Sequence, residues 1–157
     1  MLAPPPASHA WHHSTMTSVP DTTAPDCVFC GIVSGAVPAR IVYSDDRTLA
    51  FLDIAPAAPG HTLVIPKGHV AQLLEATPEG AAAVIQAARN VARLLDAKLQ
   101  PDGLTLFQAI KSAGWQDVPH LHVHVVPRWN GDDLVRPWTS ELAEPHELDD
   151  VLAQLTI

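Results

Sequence analysis

Residues 120–126 read His-Leu-His-Val-His-Val-Val. This alternation has period two, the side-chain period of a β-strand. It predicts a strand with His120, His122 and His124 on one face and Leu121, Val123 and Val125 on the other. Successive histidines on that face then lie about 7 Å apart along the strand, twice the rise per residue. Two chemistries suit such a face. A His-x-His pair can hold a catalytic metal. Alternatively, one imidazole is a nucleophile whose neighbours set its tautomer and stabilise charge on a substrate. The only carboxylate close in sequence is Asp117, which precedes the strand, and spacing alone leaves both readings open.

The rest of the chain supplies partners for that strand. Further short runs rich in β-branched and aromatic residues fall at 39–44, 47–53, 61–66 and 104–109. Asp45 and Asp46 separate the first two as a hairpin turn, and a Pro/Gly-rich turn at 56–60 leads into the third. Thr77 is placed as an N-cap with Pro78 at the first helical position. Val84, Ala88, Val91 and Leu95 follow at helical spacing, and the helix ends at Pro101-Asp102-Gly103. A weaker helix runs from about His146 to Leu155. One long helix among paired strands predicts an α+β fold with an antiparallel sheet rather than alternating βαβ units.

Residues 1–26 differ from this pattern, with five prolines, Ser and Thr, and few aliphatic side chains. They read as a disordered N-terminal tail, and Met16 is a plausible alternative start. Residues 27–157 read as one domain. Hydrophobic residues make up 47% of the 157, enough to build a core. Nine Lys and Arg against seventeen Asp and Glu leave a net charge of −8, which argues against nucleic acid or an anionic membrane surface as a partner. No apolar run reaches the roughly 18 residues of a membrane span. Cys27 and Cys30 form a Cys-x-x-Cys pair that by itself is open to zinc, redox chemistry or neither.

Taken together these blocks resemble the histidine-triad (HIT) nucleotide-binding superfamily. The resemblance rests on 120–126, on Cys27-Val28-Phe29-Cys30, on 41–54, on Pro59-Gly60-His61 through Lys67, and on 114–128, in order and at family spacing. It covers 27–128 and leaves 129–157 as a variable C-terminal segment. It implies a HIT-like fold of about five antiparallel strands with one long and one short C-terminal helix, assembled as a cytoplasmic homodimer.

The resemblance also assigns roles. His122 is the implied nucleophile on the α-phosphorus of a nucleotide, giving a covalent nucleotidyl-histidine that water resolves. His124 is implied to contact phosphate oxygens and to assist the leaving group, and His61 matches a further histidine near the phosphates that packs beside the nucleophile. Asp53 matches the residue that binds ribose hydroxyls. Phe29, Phe51 and Ile54 match apolar walls of the base pocket, though aromatic and aliphatic residues also belong in ordinary cores. Cys27, Cys30, His69 and His120 are the implied ligands of a structural zinc, and no catalytic metal is expected.

Ahead of the triad the chain departs from the family pattern. Ala109 stands where an amide often contacts the leaving side, and Asp117 replaces a hydroxyl that commonly donates to phosphate; a carboxylate there only accepts. Gln116 is retained, Val118 follows, and Lys111 offers positive charge. The implied activity is hydrolysis of a purine nucleotide or nucleoside phosphoramidate. Alternatives are a dinucleoside polyphosphate hydrolase or phosphorylase, and a nucleotide-binding regulatory module with little turnover.

Overall fold

The computed structural model describes residues 23–135 and 142–156. Most of the expected tail, residues 1–22, lies outside them. Five strands form one antiparallel sheet: β1 (Ile41–Ser44), β2 (Thr48–Leu52), β3 (Thr62–Pro66), β4 (Gly103–Phe107) and β5 (Val123–Arg128), in the order β1-β2-β3-β5-β4. The α+β expectation holds.

Alternation along the strands sorts the side chains into two cores. Ala50, Val64, Val123 and Val125 face α2 (Pro78–Leu99) and meet its Val84, Ala87, Ala88, Val91 and Leu95. Each large aliphatic buried there contributes roughly 1.5–3 kcal/mol. Thr77 caps α2 as expected, accepting from the Gly80 N–H at 3.0 Å, an interaction worth about 1 kcal/mol. On the opposite face, Leu49, Phe51, Leu63 and Ile65 pack against Cys27, Phe29 and Cys30. The chain enters β3 through Gly60 at φ +85°, where an added Cβ would stand 2.5 Å from Leu99 Cδ1. The left-handed backbone there is what favours glycine, since the Leu99 methyl is the free end of a flexible side chain.

Two expectations need correction. A short helix, α1 (Val28–Ser34), carries the second cysteine and Phe29 where only a motif was read. Its signal was present: Gly35 closes it at φ 79° as a left-handed C-cap. The histidine strand begins at Val123 rather than His120 and runs on to Arg128. His120 and Leu121 hydrogen-bond to loops instead of a ladder, with His120 N–H donating to Val118 O at 2.8 Å and Leu121 N–H to Val70 O at 2.7 Å. The rings of His122 and His124 stand edge to face with centroids 4.9 Å apart.

The weaker helix is α3 (Pro145–Leu155), closed at its start by a reciprocal Glu144–Glu147 capping box. Its Leu148, Val151, Leu152 and Leu155 are all exposed.

Candidate active site and metal centre

The second core face carries the chemistry. His122 is 4% exposed, and its Nδ1 lies 2.7 Å from the carbonyl oxygen of His120. A carbonyl only accepts, so Nδ1 carries the proton and donates. The lone pair of a neutral His122 therefore sits on Nε2, which has no hydrogen-bond partner among the described residues. That is the atom a nucleophilic imidazole needs exposed.

A second chain of hydrogen bonds sets His61 and His124. The Ala57 N–H donates to His61 Nδ1 at 3.1 Å, so the proton of a neutral His61 is on Nε2. His61 Nε2 lies 2.9 Å from His124 Nδ1, which must accept, leaving the His124 proton on its Nε2. Burial favours these neutral forms. It lowers the pKa of His61, with the nearby Asp53 carboxylate opposing, and pushes that of His124 down to about 4, helped by His122 and His61. Phe107 of β4 stacks on the His124 ring at 4.1 Å with the planes 8° apart. Nothing in the sequence marked Phe107 or Ala57. Their roles come from the β4–β5 register, which pairs Phe107 with His124, and from a backbone N–H that carries no side-chain signature.

The other expected residues surround this pair of relays. Asp53 is held by the Ala55 N–H at 2.9 Å, and its Oδ2 lies 3.5 Å from His61 Nδ1. Phe29 stands edge-on to Phe51, His120 and His122, with centroids at 5.4, 5.7 and 5.5 Å. Phe29 and Phe51 are buried, whereas Ile54 is 91% exposed. The Gln116 side chain is engaged in shaping its own loop. Its Nε2 donates to Ala71 O at 2.6 Å and Val118 O at 3.0 Å, and its Oε1 accepts from the Lys111 N–H. Lys111 and Trp115 in that loop adopt φ of 59° and 72°. Val118 is partly buried beside the second core, and Asp117 is exposed. Ala109 is buried, with its carbonyl accepting from the Gln108 side chain. A cleft of about 450 Å³ runs from Phe107 past Gln108 and Trp115 to Arg128.

The third histidine turns its ring to a different task. His120 Nδ1 lies 3.4 Å from Cys27 Sγ, 3.7 Å from Cys30 Sγ and 3.3 Å from His69 Nδ1, and Cys30 Sγ lies 3.5 Å from His69 Nδ1. All four donor atoms fall within 4.8 Å of one another. Zinc bonds of about 2.3 Å to sulfur and 2.0–2.1 Å to nitrogen put the corners of a tetrahedron roughly 3.3–3.8 Å apart. The four residues fit that ion. His120 Nε2 donates to Pro66 O at 2.9 Å, which turns the lone pair of Nδ1 toward the cluster. Burial raises the Cys30 pKa in the metal-free site, so an incoming cation displaces a proton there.

A model of the HIT domain matches residues 34–131. The chain belongs to the HIT family. This HIT protein is 35% identical to SMU.412c of Streptococcus mutans UA159, whose crystal structure superposes with a TM-score of 0.82 over 95% of this chain and 96% of that one. A Zn-bound histidine triad family protein from Mycobacterium smegmatis is 41% identical, with a TM-score of 0.67 over 83% of this chain and 95% of that chain. Adenylylsulfatase HINT3 of Arabidopsis thaliana is 35% identical over 123 residues, 78% of this chain and 61% of the relative. Membership places the chain in a superfamily of nucleotide-binding proteins and hydrolases. No helix among the described residues is long and apolar enough to cross a membrane.

Proposed function

We propose that this HIT protein hydrolyses nucleotides at the α-phosphate through a covalent intermediate on His122, with purine nucleoside phosphoramidates as its substrates. The observation that carries the reading is the proton placement: a free lone pair on His122 Nε2 beside a His124 whose Nε2 carries hydrogen. In the first step the Nε2 lone pair bonds to the α-phosphorus while the bond from phosphorus to the leaving nitrogen breaks. That nitrogen departs as the amine after gaining one proton from solvent. Water then attacks the phosphorus and displaces Nε2, giving the nucleoside monophosphate and returning one proton to solvent. Dividing the reaction in two lowers the barrier of each part. Through both steps the His122 Nδ1–H donates to His120 O, and the His124 Nε2–H stabilises charge on the phosphate oxygens.

Asp53 binds the ribose hydroxyls, and Phe29, Phe51 and Ile54 flank the base. Gln116 shapes the phosphate loop from behind, while Asp117 and Val118 line it. Cys27, Cys30, His69 and His120 hold a structural zinc, which supplies cross-linking of α1 to the sheet and no step of the reaction. Residues 27–157 act as one domain, and the protein works in the cytoplasm as a homodimer. Support for a partner copy comes from β4, an edge strand on which Leu106 and Phe107 are exposed. The name of Adenylylsulfatase HINT3 supports an adenylyl group as the part of the substrate that is recognised.

The test is release of free amine from an adenosine phosphoramidate, followed alongside AMP binding by calorimetry. Turnover that disappears in His122→Ala while AMP still binds supports the reading. Tight AMP binding without turnover in the unaltered protein assigns the chain to the regulatory-module alternative. Turnover of dinucleoside polyphosphates in preference to the phosphoramidate assigns it to the hydrolase alternative.

A further inference from the structure

His120 belongs to both sites at once. Its ring stands among the metal-ligating atoms, and its carbonyl oxygen, 2.7 Å from His122 Nδ1, dictates which nitrogen of the nucleophile carries the proton. We propose that His120 is a positioning residue, through which the metal centre holds the nucleophile in its reactive tautomer. The inference rests on the nucleotidyl-histidine reading for its catalytic consequence, and on the geometry alone for the coupling.

The argument begins with what a neutral histidine does unaided: its proton is shared between both ring nitrogens, and the hydrogen bond made by one nitrogen decides the tautomer. The carbonyl of His120 can decide it only if the peptide around residue 120 is fixed. Residues 120–122 lie outside the β5 ladder, so sheet pairing does not fix them. What does is local: His120 N–H to Val118 O, Leu121 N–H to Val70 O, the ring Nε2–H to Pro66 O, and the ring Nδ1 at the four-residue cluster. Two of these anchors, at Val70 and in the cluster, depend on the segment that carries His69.

A second contact travels the same way. Phe29 lies between the two cysteine ligands in sequence and stands edge-on to the rings of both His120 and His122. It is carried by α1, a seven-residue helix with no side-chain cap. A helix that short is marginal unless it is tied down. A cation bound by Cys27 and Cys30 ties it, and so holds one wall of the His122 ring. Metal occupancy thus sets the carbonyl below the nucleophile and the aromatic ring beside it.

The experiment compares full-length, 15N-labelled protein loaded with zinc, stripped by a chelator and reloaded. Two-bond proton–nitrogen spectra report which ring nitrogen of His122 is protonated, the His122→Ala spectrum supplies the assignment, and far-UV circular dichroism reports the fold. Zinc-loaded protein is expected to show the Nδ1–H tautomer alone. Stripped protein that keeps its fold is expected to show both tautomers and to form the nucleotidyl adduct about tenfold more slowly or worse, the range typical of lost support around a metal ligand. Reloading restores both. A stripped, folded protein that keeps the Nδ1–H tautomer and an unchanged adduct rate overturns the proposal.

If stripping unfolds the chain, exchange of zinc for the larger cadmium ion keeps the site filled and moves its ligands. Shifted His122 ring resonances with a slower adduct rate then support the coupling, and unchanged values for both overturn it. A tautomer that follows metal occupancy in a protein that never forms an adduct sustains the coupling and refutes the nucleotidyl-transfer reading instead.

Discussion

His61 Nε2 stands 2.9 Å from His124 Nδ1, and because Ala57 donates to the other nitrogen of His61, the bond runs from His61 to His124. One backbone N–H thus sets the proton on a side chain two residues removed through space. Replacing His61 with Phe keeps a ring in the buried slot and removes the donor. A neutral hydrogen bond contributes about 0.5–1.5 kcal/mol, so steady-state kinetics on the phosphoramidate are expected to show kcat lower by about tenfold with KM little altered. A variant that raises KM alone would assign His61 to substrate binding rather than to orienting His124.

The metal centre makes a prediction that needs no substrate. With the ion bound, Cys27 and Cys30 are expected to resist an aromatic disulfide reagent, and chelation is expected to expose both thiols. Metal-free protein should also lose thermal stability, because binding that requires the folded site stabilises it. Thiols that react equally with and without chelator would refute the Cys2His2 assignment.

Acid should unfold the metal-free protein in a defined window. Burial lowers the folded-state pKa of His124 and of His120 to about 4 each, against an unfolded value near 6.5. The unfolded chain therefore binds more protons between those limits, and stability falls as pH drops from about 6.5 toward about 4, then stops responding to these two groups. Denaturant midpoints measured across that range are expected to slope downward with acid. The His124→Gln variant should flatten the slope, by at most about 1.4 kcal/mol per pH unit for one histidine. An unchanged slope would mean that His124 is not held neutral by burial.

The opposite core offers a control. Leu95 is 4% exposed in the cluster between α2 and the sheet. Leu95→Ala is expected to cost about 2–5 kcal/mol in chemical denaturation. In the folded protein it should leave both the metal affinity and the His122 tautomer unchanged, since neither site shares that face.

Period and punctuation account for what the sequence disclosed. Five strands, the Thr77 cap, α2 and the C-terminal helix follow from alternation, helical spacing and Pro/Gly stops, each of them a local property. The start of β5 was misplaced because His120 and Leu121 fit the alternation as well as Val123 does, and only their non-local bonds to Val118 and Val70 remove them from the ladder. The three histidines were legible as a group. Separate roles for them came only through the family resemblance, and the proton positions behind the proposed roles were not legible, because these depend on Pro66 O, His120 O and Ala57 N–H, backbone atoms that every residue type possesses. Gln116 shows the converse. It matches the family pattern by position, and the structure engages its amide with Ala71, Val118 and Lys111.

The measurement that tests the account most directly is a trapped intermediate. Zinc-loaded protein mixed with an adenosine phosphoramidate and quenched in base within the first turnovers is expected to carry one AMP group per chain. Peptide mapping by mass spectrometry should locate it on His122, and His122→Gln should carry none. An adduct at any other residue, or brisk amine release from the His122→Gln protein, would contradict the assignment of His122 Nε2 as the nucleophile.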